Sequence, residues 1–584
     1  MATRTAEFSP RLDQLPYDVF LAITFFLDIP DVYNISLTCK GLRGFINTKP
    51  IFRIQAAKLL AHCRPLPLKG FNQISDLSRP ELAAAVTRTH RTFTALQTRG
   101  PRPLKGVLSR RALSRCSFLD ATEPEAAVGV RSWYRTLRLP MENEDYIDWF
   151  STITSKYVLC STKKGTLYCQ NIETSRLDGA WTLGYEWELW KCKVDLERRR
   201  SIIIMADKVD YESDNYHTFN PLVNWGIAEI QFPGPGDNSI PEFFEVARFA
   251  TRGLTMNVFI LDQTTRTIAF LCMLNHHNAQ HDMLAGTLGL LFIPDWEKPG
   301  HVYIDTGIDT NLNSGWTCVL LPAHKRLVLI HHEDAPQLTQ YVYPLDLLKP
   351  YMSHSTGIPA TSALVRPVSI VRREFLIFIF DSTAPKMHVS LVPATSPLNP
   401  YPSVEWPAEC SYFLRQWWPQ LEKSEWTSSG VALLTQQRRD DIAPQQQRNT
   451  LVQYYFDVPT TTSTPGEPTV TAGRPLHMWH IHTDFVIACI KDHTADAEEE
   501  DNRPLIAVDF GVAVWLEHQG DSLVLSFATF PEVDASTPEG CEVHQLATPP
   551  ELDLAEVESL TIDQSHMAVI VCLSDGEVYV LCYE

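Results

Sequence analysis

Residues 193–205 read KVDLERRRSIIIM, residues 259–271 read FILDQTTRTIAFL, and residues 560–571 read LTIDQSHMAVIV. In each segment a short apolar strand leads into a polar turn, and a strongly apolar strand follows. Asp195 and Asp563 occupy the same place in their turns as the aspartate of the middle segment, where a carboxylate can accept hydrogen bonds from backbone N–H groups. The three segments therefore predict one β-hairpin that is used repeatedly.

The pattern recurs at a spacing of roughly 50 to 65 residues, which is typical of the blades of a β-propeller. Further copies are VLLPAHKRLVLI at 319–330 and SIVRREFLIFIF at 369–380. The second, most apolar strand of each unit begins near residues 157, 202, 268, 327, 375, 431, 485 and 567. A small sheet cannot bury both faces by itself, so the units are expected to pack side by side in a ring. We predict a propeller of seven or eight blades.

The two ends of the β region resemble each other: YVLCSTKKGTLYCQN at 157–171 and MAVIVCLSDGEVYVLCYE at 567–584 both read as strand, turn, strand. The last unit then lacks an outer strand, and an unpaired sheet edge is a liability. WYRTLRLP at 133–140 is a strand-like candidate for that edge. We therefore predict a clasp between residues 132–139 and 576–584.

The N-terminal region has helical periodicity instead. In LPYDVFLAITFFL, residues 15–27, Phe20, Ile23 and Leu27 recur at helical spacing. Farther along, Ser78 lies three residues before Glu81, the spacing of a capping box, and opens a helix that is expected to end at GPRP.

These patterns predict an α + β multidomain chain, in which a small helical module precedes a mainly-β propeller. The helical module spans residues 1–60 with its core at 12–53. A helical linker follows at 61–104, and the propeller occupies 105–584.

Composition limits the partners and the compartment. The longest apolar stretches, FLAITFFL at 20–27 and FLIFIF at 375–380, are far shorter than the ~20 residues of a membrane span. The 13 cysteines are an odd number and include no CxxC, so we expect reduced thiols in the cytoplasm, the nucleus or both. Residues 1–120 hold 18 Lys/Arg and 8 Asp/Glu, against 32 and 61 in the remainder. The acidic remainder favours protein partners over nucleic acid.

No group of residues predicts catalysis, a cofactor or a metal. Histidines cluster at 276–281, 331–332 and 477–482, but none of the clusters has the spacing of a zinc site. The chain contains neither GxGxxG nor GxxxxGK[ST] nor GxSxG. Basic pairs or triplets stand at Arg198–Arg200, Arg372–Arg373 and Arg438–Arg439. Each is either a solvated turn or part of a site for an acidic or phosphorylated peptide.

Residues 15–53, LPYDVFLAITFFLDIPDVYNISLTCKGLRGFINTKPIFR, resemble the F-box. The shared features are a Leu-Pro start, an apolar first helix ending in Phe-Leu-Asp, a Pro-Asp-Val restart and a Ser-Leu-Thr-Cys-Lys segment. Tyr17 stands where the family often has an acidic residue, and Leu42 where it often has Trp. The β region is similar to a degenerate WD-repeat propeller, and the whole is similar to fungal F-box proteins.

The resemblance implies docking to a Skp-family adaptor, which is itself bound to a cullin. The residues expected to build or present the docking surface are Leu15, Pro16, Ile23, Leu27, Val32, Leu37 and Cys39. The chain would then be a non-catalytic substrate receptor of a ubiquitin ligase, with an unknown protein target on the propeller. Two alternatives remain at this point: an F-box scaffold acting outside any ligase, and a propeller enzyme such as a glycosidase or lyase.

Overall fold

The structure is a computed structural model. It describes residues 12–61, 64–104, 133–141, 145–172, 174–182, 184, 187–207, 222–234, 239–252, 255–262, 265–274, 286–298, 300–310, 315–321, 326–332, 337–348, 363–364, 369–380, 389–393, 411–413, 428–436, 448–456, 469–472, 476–488, 505–509, 512–529, 543–563 and 566–584.

Helices occupy the N-terminal region. A 3-10 turn at Leu12–Gln14 precedes α1 (Tyr17–Thr24), α2 (Ile29–Thr38), α3 (Lys40–Ile46), α4 (Lys49–Ala61) and α5 (Arg79–Arg99). Pro30 lies in the first turn of α2, where its missing N–H costs nothing. At the start of α5, the Ser78 hydroxyl donates to the Glu81 carboxylate at 2.6 Å and the Ser78 backbone N–H donates to it at 2.8 Å. These two hydrogen bonds lower the pKa of Glu81.

Two adjoining cores hold these helices together. The first, formed by α1 to α4, is built from Phe20, Val32, Leu42, Ile46 and Ile51. The second joins α4 to the following linker and to the first half of α5, and is built from Ala56, Leu59, Leu60, Leu66, Leu68, Ile74, Leu82 and Val86. The expected boundary at residue 60 therefore passes through a shared core.

The first three β-sheets each run in chain order as antiparallel strands. After β1 (Tyr134–Arg138), the strands are β2 (Ile147–Thr152), β3 (Tyr157–Thr162), β4 (Thr166–Asn171) and β5 (Arg176–Thr182); β6 (Trp187–Asp195), β7 (Arg200–Asp207), β8 (Leu222–Gln231) and β9 (Glu242–Arg252); and β10 (Thr255–Asp262), β11 (Thr267–Leu274), β12 (Gly286–Ile293) and β13 (Val302–Thr310).

Eleven further strands follow along the described part of the chain, and all but one of them belong to one extended network. They are β14 (Gly315–Leu321), β15 (Arg326–His332), β16 (Gln337–Pro344), β17 (Ala363–Leu364), β18 (Ser369–Phe380), β19 (Val389–Pro393), β20 (Ser411–Phe413), β21 (Ser428–Gln436), β22 (Arg448–Phe456), β23 (Thr469–Ala472) and β24 (Leu476–Ile487). The run β14-β15-β16-β18 is antiparallel, as is β20-β21-β22-β24, whereas β17 pairs in parallel with β13.

The remaining strands complete the β region. They are β25 (Ile506–Asp509), β26 (Val512–Gln519), β27 (Ser522–Thr529) and β28 (Val543–Gln545), followed by β29 (Val557–Asp563), β30 (Ala568–Leu573) and β31 (Glu577–Cys582). In the last sheet the order is β1-β31-β30-β29. Tyr134 is paired with Leu581 and Arg138 with Glu577, so a strand from the start of the region covers the outer edge of its end.

Neighbouring sheets pack face against face through apolar clusters. Trp225 of β8 packs on Phe270 of β11 between the second and third sheets, and Val158 of β3 packs near Ile570 of β30 between the first and last. Because the last sheet packs on the first, the described sheets have the arrangement of a β-propeller. The number of blades stays a prediction.

A shared turn explains the repeated sequence pattern. In three sheets, the residue just before the second strand of a hairpin has a positive φ: Arg199 before β7 (54°), Arg266 before β11 (60°) and Met567 before β30 (54°). The carbonyl of Arg199 accepts from the backbone N–H of Phe232 at 2.8 Å, and that of Met567 accepts from Tyr583 at 2.9 Å. The left-handed residue thus turns its carbonyl toward the third strand of its own sheet, which fixes the end of the hairpin.

Candidate docking surface

Exposed apolar side chains concentrate on the first two helices. Among the residues that the structure describes, nine large apolar side chains are exposed, and six of them lie between residues 12 and 37. Phe26 is 81% exposed and Phe25 59% exposed. Single exposed apolar residues are ordinary, but several on neighbouring helices mark a candidate interaction surface. We call the six residues the docking surface: Leu12, Val19, Phe25, Phe26, Tyr33 and Leu37.

The turn after α1 presents its two phenylalanines together. Phe25 caps the C-terminus of α1 in helical conformation, and the backbone N–H of Phe26 donates to the carbonyl of Ile23 at 2.9 Å. The two rings are in edge-to-face contact with centroids 5.5 Å apart. Leu27, the next residue, packs inward against the helical core. The turn therefore places a pair of aromatic rings in solvent.

Helix α2 supplies the rest of the surface. Tyr33 and Leu37 are four residues apart, so they lie on one face of the helix, and both are exposed. Val32 and Ile35 lie on the opposite face, where Val32 is buried and Ile35 packs against the core. α2 thus has apolar residues on both sides, and the described residues cover only one of them.

The residues predicted from the resemblance occupy three environments. Val32 is buried, Leu27 and Cys39 are half-buried against the core, and Leu15 and Ile23 are half-buried. Pro16 and Leu37 are exposed. The Cys39 Sγ accepts from the backbone N–H of Leu42 at 3.4 Å and so caps α3.

The most exposed members of the docking surface, Phe25, Phe26 and Tyr33, were not among the predicted residues. A signal was present in the sequence, because Phe25 and Phe26 fall off the apolar stripe of Phe20, Ile23 and Leu27. Large apolar residues off the core-facing stripe are candidates for a second surface.

Exposed charged side chains lie close in sequence to the docking surface. Asp28 and Asp31 are exposed near the start of α2. Lys40 and Arg43 are exposed on α3, and the Arg43 guanidinium donates to the carbonyl of Ser36 at 3.2 Å. An apolar centre with a charged border is the usual composition of a protein interface.

Two arginines of the basic turn at Arg198–Arg200 already have partners within the protein. Arg200 forms ion pairs with Asp195 at 3.0 Å and with Glu229 at 2.7 Å, and all three side chains are at least 80% buried. The Arg199 guanidinium lies 6.0 Å from the Phe71 ring of the linker. Arg372 and Arg373 lie within β18, paired with Thr339 and Leu338. Arg438 and Arg439 lie outside the described residues.

The buried cysteines are held in their protonated form. Burial raises the pKa of the Cys272 thiol to about 12, and it also raises the pKa values of Cys160, Cys169 and Cys572. These thiols are protonated at neutral pH and are poor nucleophiles. Across the part of the chain that the structure describes, no group of three or more His, Cys, Asp or Glu residues could hold a metal ion. The histidines at 276–281 lie outside it.

None of the helices in the described ranges is both long and apolar enough to span a membrane.

Comparison with known proteins gives only distant matches. No model of a known protein family matches the chain, and no curated protein matches it in sequence. Among solved structures, the β-propeller domain of Cps50 (Swd1) from Myceliophteria thermophila is 7% identical with a TM-score of 0.35, and the match covers 75% of this chain and 98% of that one. The WD40 domain of SCAP from fission yeast is 7% identical with a TM-score of 0.30, covering 77% of this chain and 98% of that one.

A third similar structure is the oligogalacturonate lyase of Vibrio parahaemolyticus, 9% identical with a TM-score of 0.31, with 66% of this chain and 78% of that one covered. The sheets of this chain, their packing and the clasp of β1 on β31 define a β-propeller protein with an N-terminal helical module.

Proposed function

We propose that the chain is a substrate-recognition subunit of a Skp-cullin-F-box type ubiquitin ligase. The observation that carries the proposal is the docking surface, because it lies on the helices whose sequence resembles the F-box. The Skp-family adaptor is the partner that such helices bind. The propeller would hold the target protein, and the chain itself would perform no chemistry.

The energetics of the docking surface favour a protein partner. Covering one exposed Phe side chain contributes roughly 1.5–3 kcal/mol. Phe25, Phe26, Tyr33 and Leu37 together could supply a substantial share of the free energy of a micromolar complex, about −8 kcal/mol. Aromatic residues at the centre of an interface are also those that most often dominate binding.

Tyr17 and Leu42, where the sequence departs from the family, are consistent with this proposal. The Tyr17 ring packs edge-on against Phe45 at 5.7 Å, and its hydroxyl is 2.6 Å from that of Thr48. Leu42 is buried in the core of α1 to α4. Both side chains stabilise the helical module through contacts within it.

A receptor must also hold its target at a defined position relative to the adaptor. The second half of α5 contributes Phe93 and Leu96 to the apolar cluster of the last two sheets. The linker is fixed to the first sheet, because Ser155 donates to the carbonyl of Leu68 at 2.9 Å and accepts from the N–H of Gly70 at 3.1 Å. A rigid connection of this kind would contribute to ubiquitin transfer through proximity.

Co-purification tests the proposal. The tagged full chain, produced with a Skp-family adaptor and a cullin, should recover both partners, and deleting its gene should cause a protein found by proximity labelling to accumulate. Recovery of the adaptor without cullin would favour a scaffold outside the ligase. Failure to recover the adaptor would contradict the proposal.

A further inference from the structure

The aromatic pair of the docking surface sits on a turn that helix α4 holds by its carbonyl groups. Gln55 is on α4 and is 2% exposed. Its side-chain amide donates to the carbonyl of Thr24 at 3.1 Å and to that of Leu27 at 3.1 Å. The Lys58 ammonium, one helical turn farther along, donates to the same Leu27 carbonyl at 2.8 Å. These two side chains of α4 thus bind both ends of the Thr24–Leu27 turn.

The contacts from α4 add to the hydrogen bonds that close the end of α1. The last four carbonyls of an α-helix have no intrahelical partner. At the end of α1, the carbonyl of Leu21 accepts from the Thr24 hydroxyl at 2.7 Å, and those of Ala22 and Ile23 accept from the next two backbone N–H groups. The carbonyl of Thr24, the last of α1, accepts from the backbone N–H of Leu27 at 3.3 Å as well as from Gln55. The carbonyl of Leu27, beyond the end of the helix, accepts from Gln55 and Lys58.

We infer that Gln55 and Lys58 are positioning residues for the docking surface, because they hold the α1–α2 turn in the form that keeps Phe25 and Phe26 in solvent. Without them, the two rings could turn toward the helical core, where apolar side chains are more stable than in water. A buried glutamine that donates only to backbone carbonyls has no packing advantage over an apolar residue of similar length, which is consistent with a role in geometry. The inference rests on the proposed function for its meaning, but its geometry can be tested separately.

The test uses the full chain and four variants: Gln55→Met, Lys58→Met, the double variant, and Gln73→Met as a control in the linker. Hydrogen exchange is measured on peptides that cover residues 17–28 and 49–61. We expect Gln55→Met to raise exchange in the 17–28 peptide by about tenfold, since two hydrogen bonds to the turn are lost. The double variant should raise it further, and Gln73→Met should match the wild type.

Affinity for the Skp-family adaptor is the second readout, measured well below the unfolding temperature. Gln55→Met should weaken binding by about tenfold, although Gln55 does not lie on the surface. Unchanged exchange in the 17–28 peptide would overturn the inference. So would an equal rise in both peptides with unchanged affinity, which would indicate a purely structural role.

The proposed function is tested by a different variant. If Phe26→Ser binds the adaptor as tightly as the wild type, the docking surface is wrong, whereas the exchange of the 17–28 peptide in Gln55→Met still decides whether α4 holds the turn.

Discussion

The ring of Phe71, in the linker between α4 and α5, lies 4.7 Å from the ring of Phe232 at the end of β8. Tyr157 of β3 completes the group, with its ring 4.8 Å from that of Phe232. All three residues are buried in the cluster between the first two sheets. A residue of the helical region thus belongs to the core of the propeller.

Replacing Phe71 with alanine should therefore destabilise the propeller as well as the linker. Loss of a buried Phe costs about 3–5 kcal/mol. Differential scanning calorimetry should show a lower unfolding temperature, with helices and strands unfolding in one transition. Phe244→Ala is the matched control, because Phe244 is 47% exposed on β9 and should have little effect. Two separate transitions, only the smaller of which moves, would contradict the coupling.

The clasp can be tested with a facing pair of residues. Leu137 of β1 is paired with Val578 of β31, and both are buried in one cluster. Each single change to alanine should lower the free energy of unfolding, by about 2–5 kcal/mol for Leu137. The double variant should be less destabilised than the sum, since the two side chains share a contact. Additive effects in urea unfolding would argue against closure by β1, and Arg138→Ala, an exposed neighbour, serves as the control.

The basic turn offers a matched comparison of two arginines. Arg200→Gln removes the partner of the buried Asp195 carboxylate and should cost about 3–5 kcal/mol of folding free energy. Arg198→Gln, at an exposed position, should cost little. Equal effects in chemical denaturation would show that the ion pairs of Arg200 do not stabilise the second sheet.

Alkaline pH should destabilise the protein through its buried thiols. Burial raises the pKa of Cys272 in the folded state to about 12, against roughly 8.5 in an unfolded chain. Its contribution to stability is complete below about pH 8.5 and is lost as the pH rises toward 12, because the unfolded state ionises first. Between pH 7.5 and 10, Cys272→Ala should therefore lose about 2 kcal/mol less unfolding free energy than the wild type. Equal losses in urea titrations would contradict this.

The sequence was a good guide to the β region where the hairpin pattern is intact. Seven of the eight positions predicted for apolar second strands lie in strands, and the eighth, Met567, directly precedes β30. Asp195 accepts from the backbone N–H of Arg198 at 3.1 Å, as the turn pattern indicates. The Asp563 carboxylate has a different partner, the His566 ring at 2.9 Å.

The sheet of β25–β28 was missed by the count of second strands, which passes from residue 485 to 567. Its first strand ends at Asp509 and its second begins at Val512, so the connection is too short for the Asp-containing turn of the other hairpins. Periodicity alone could not find this sheet, because the turn that marks a repeat is absent.

The docking surface could be predicted only in part for a similar reason. Helical spacing identifies Phe20 as a core residue, and it is buried. Which face of α2 stays uncovered depends on where α3 and α4 pack, and the outward direction of Phe25 and Phe26 depends on contacts from Gln55, 28 to 31 residues away along the chain. Such long-range contacts leave no local pattern.

Direct measurement of adaptor binding tests the central claim. By isothermal titration calorimetry with a purified Skp-family adaptor, the wild-type chain should bind, and the Phe25→Ser, Phe26→Ser double variant should bind at least about 30-fold more weakly with an unchanged unfolding temperature. Phe244→Ser, which removes an exposed phenylalanine from the propeller, should bind like the wild type. No binding by the wild-type chain, or equal binding by the double variant, would contradict the account.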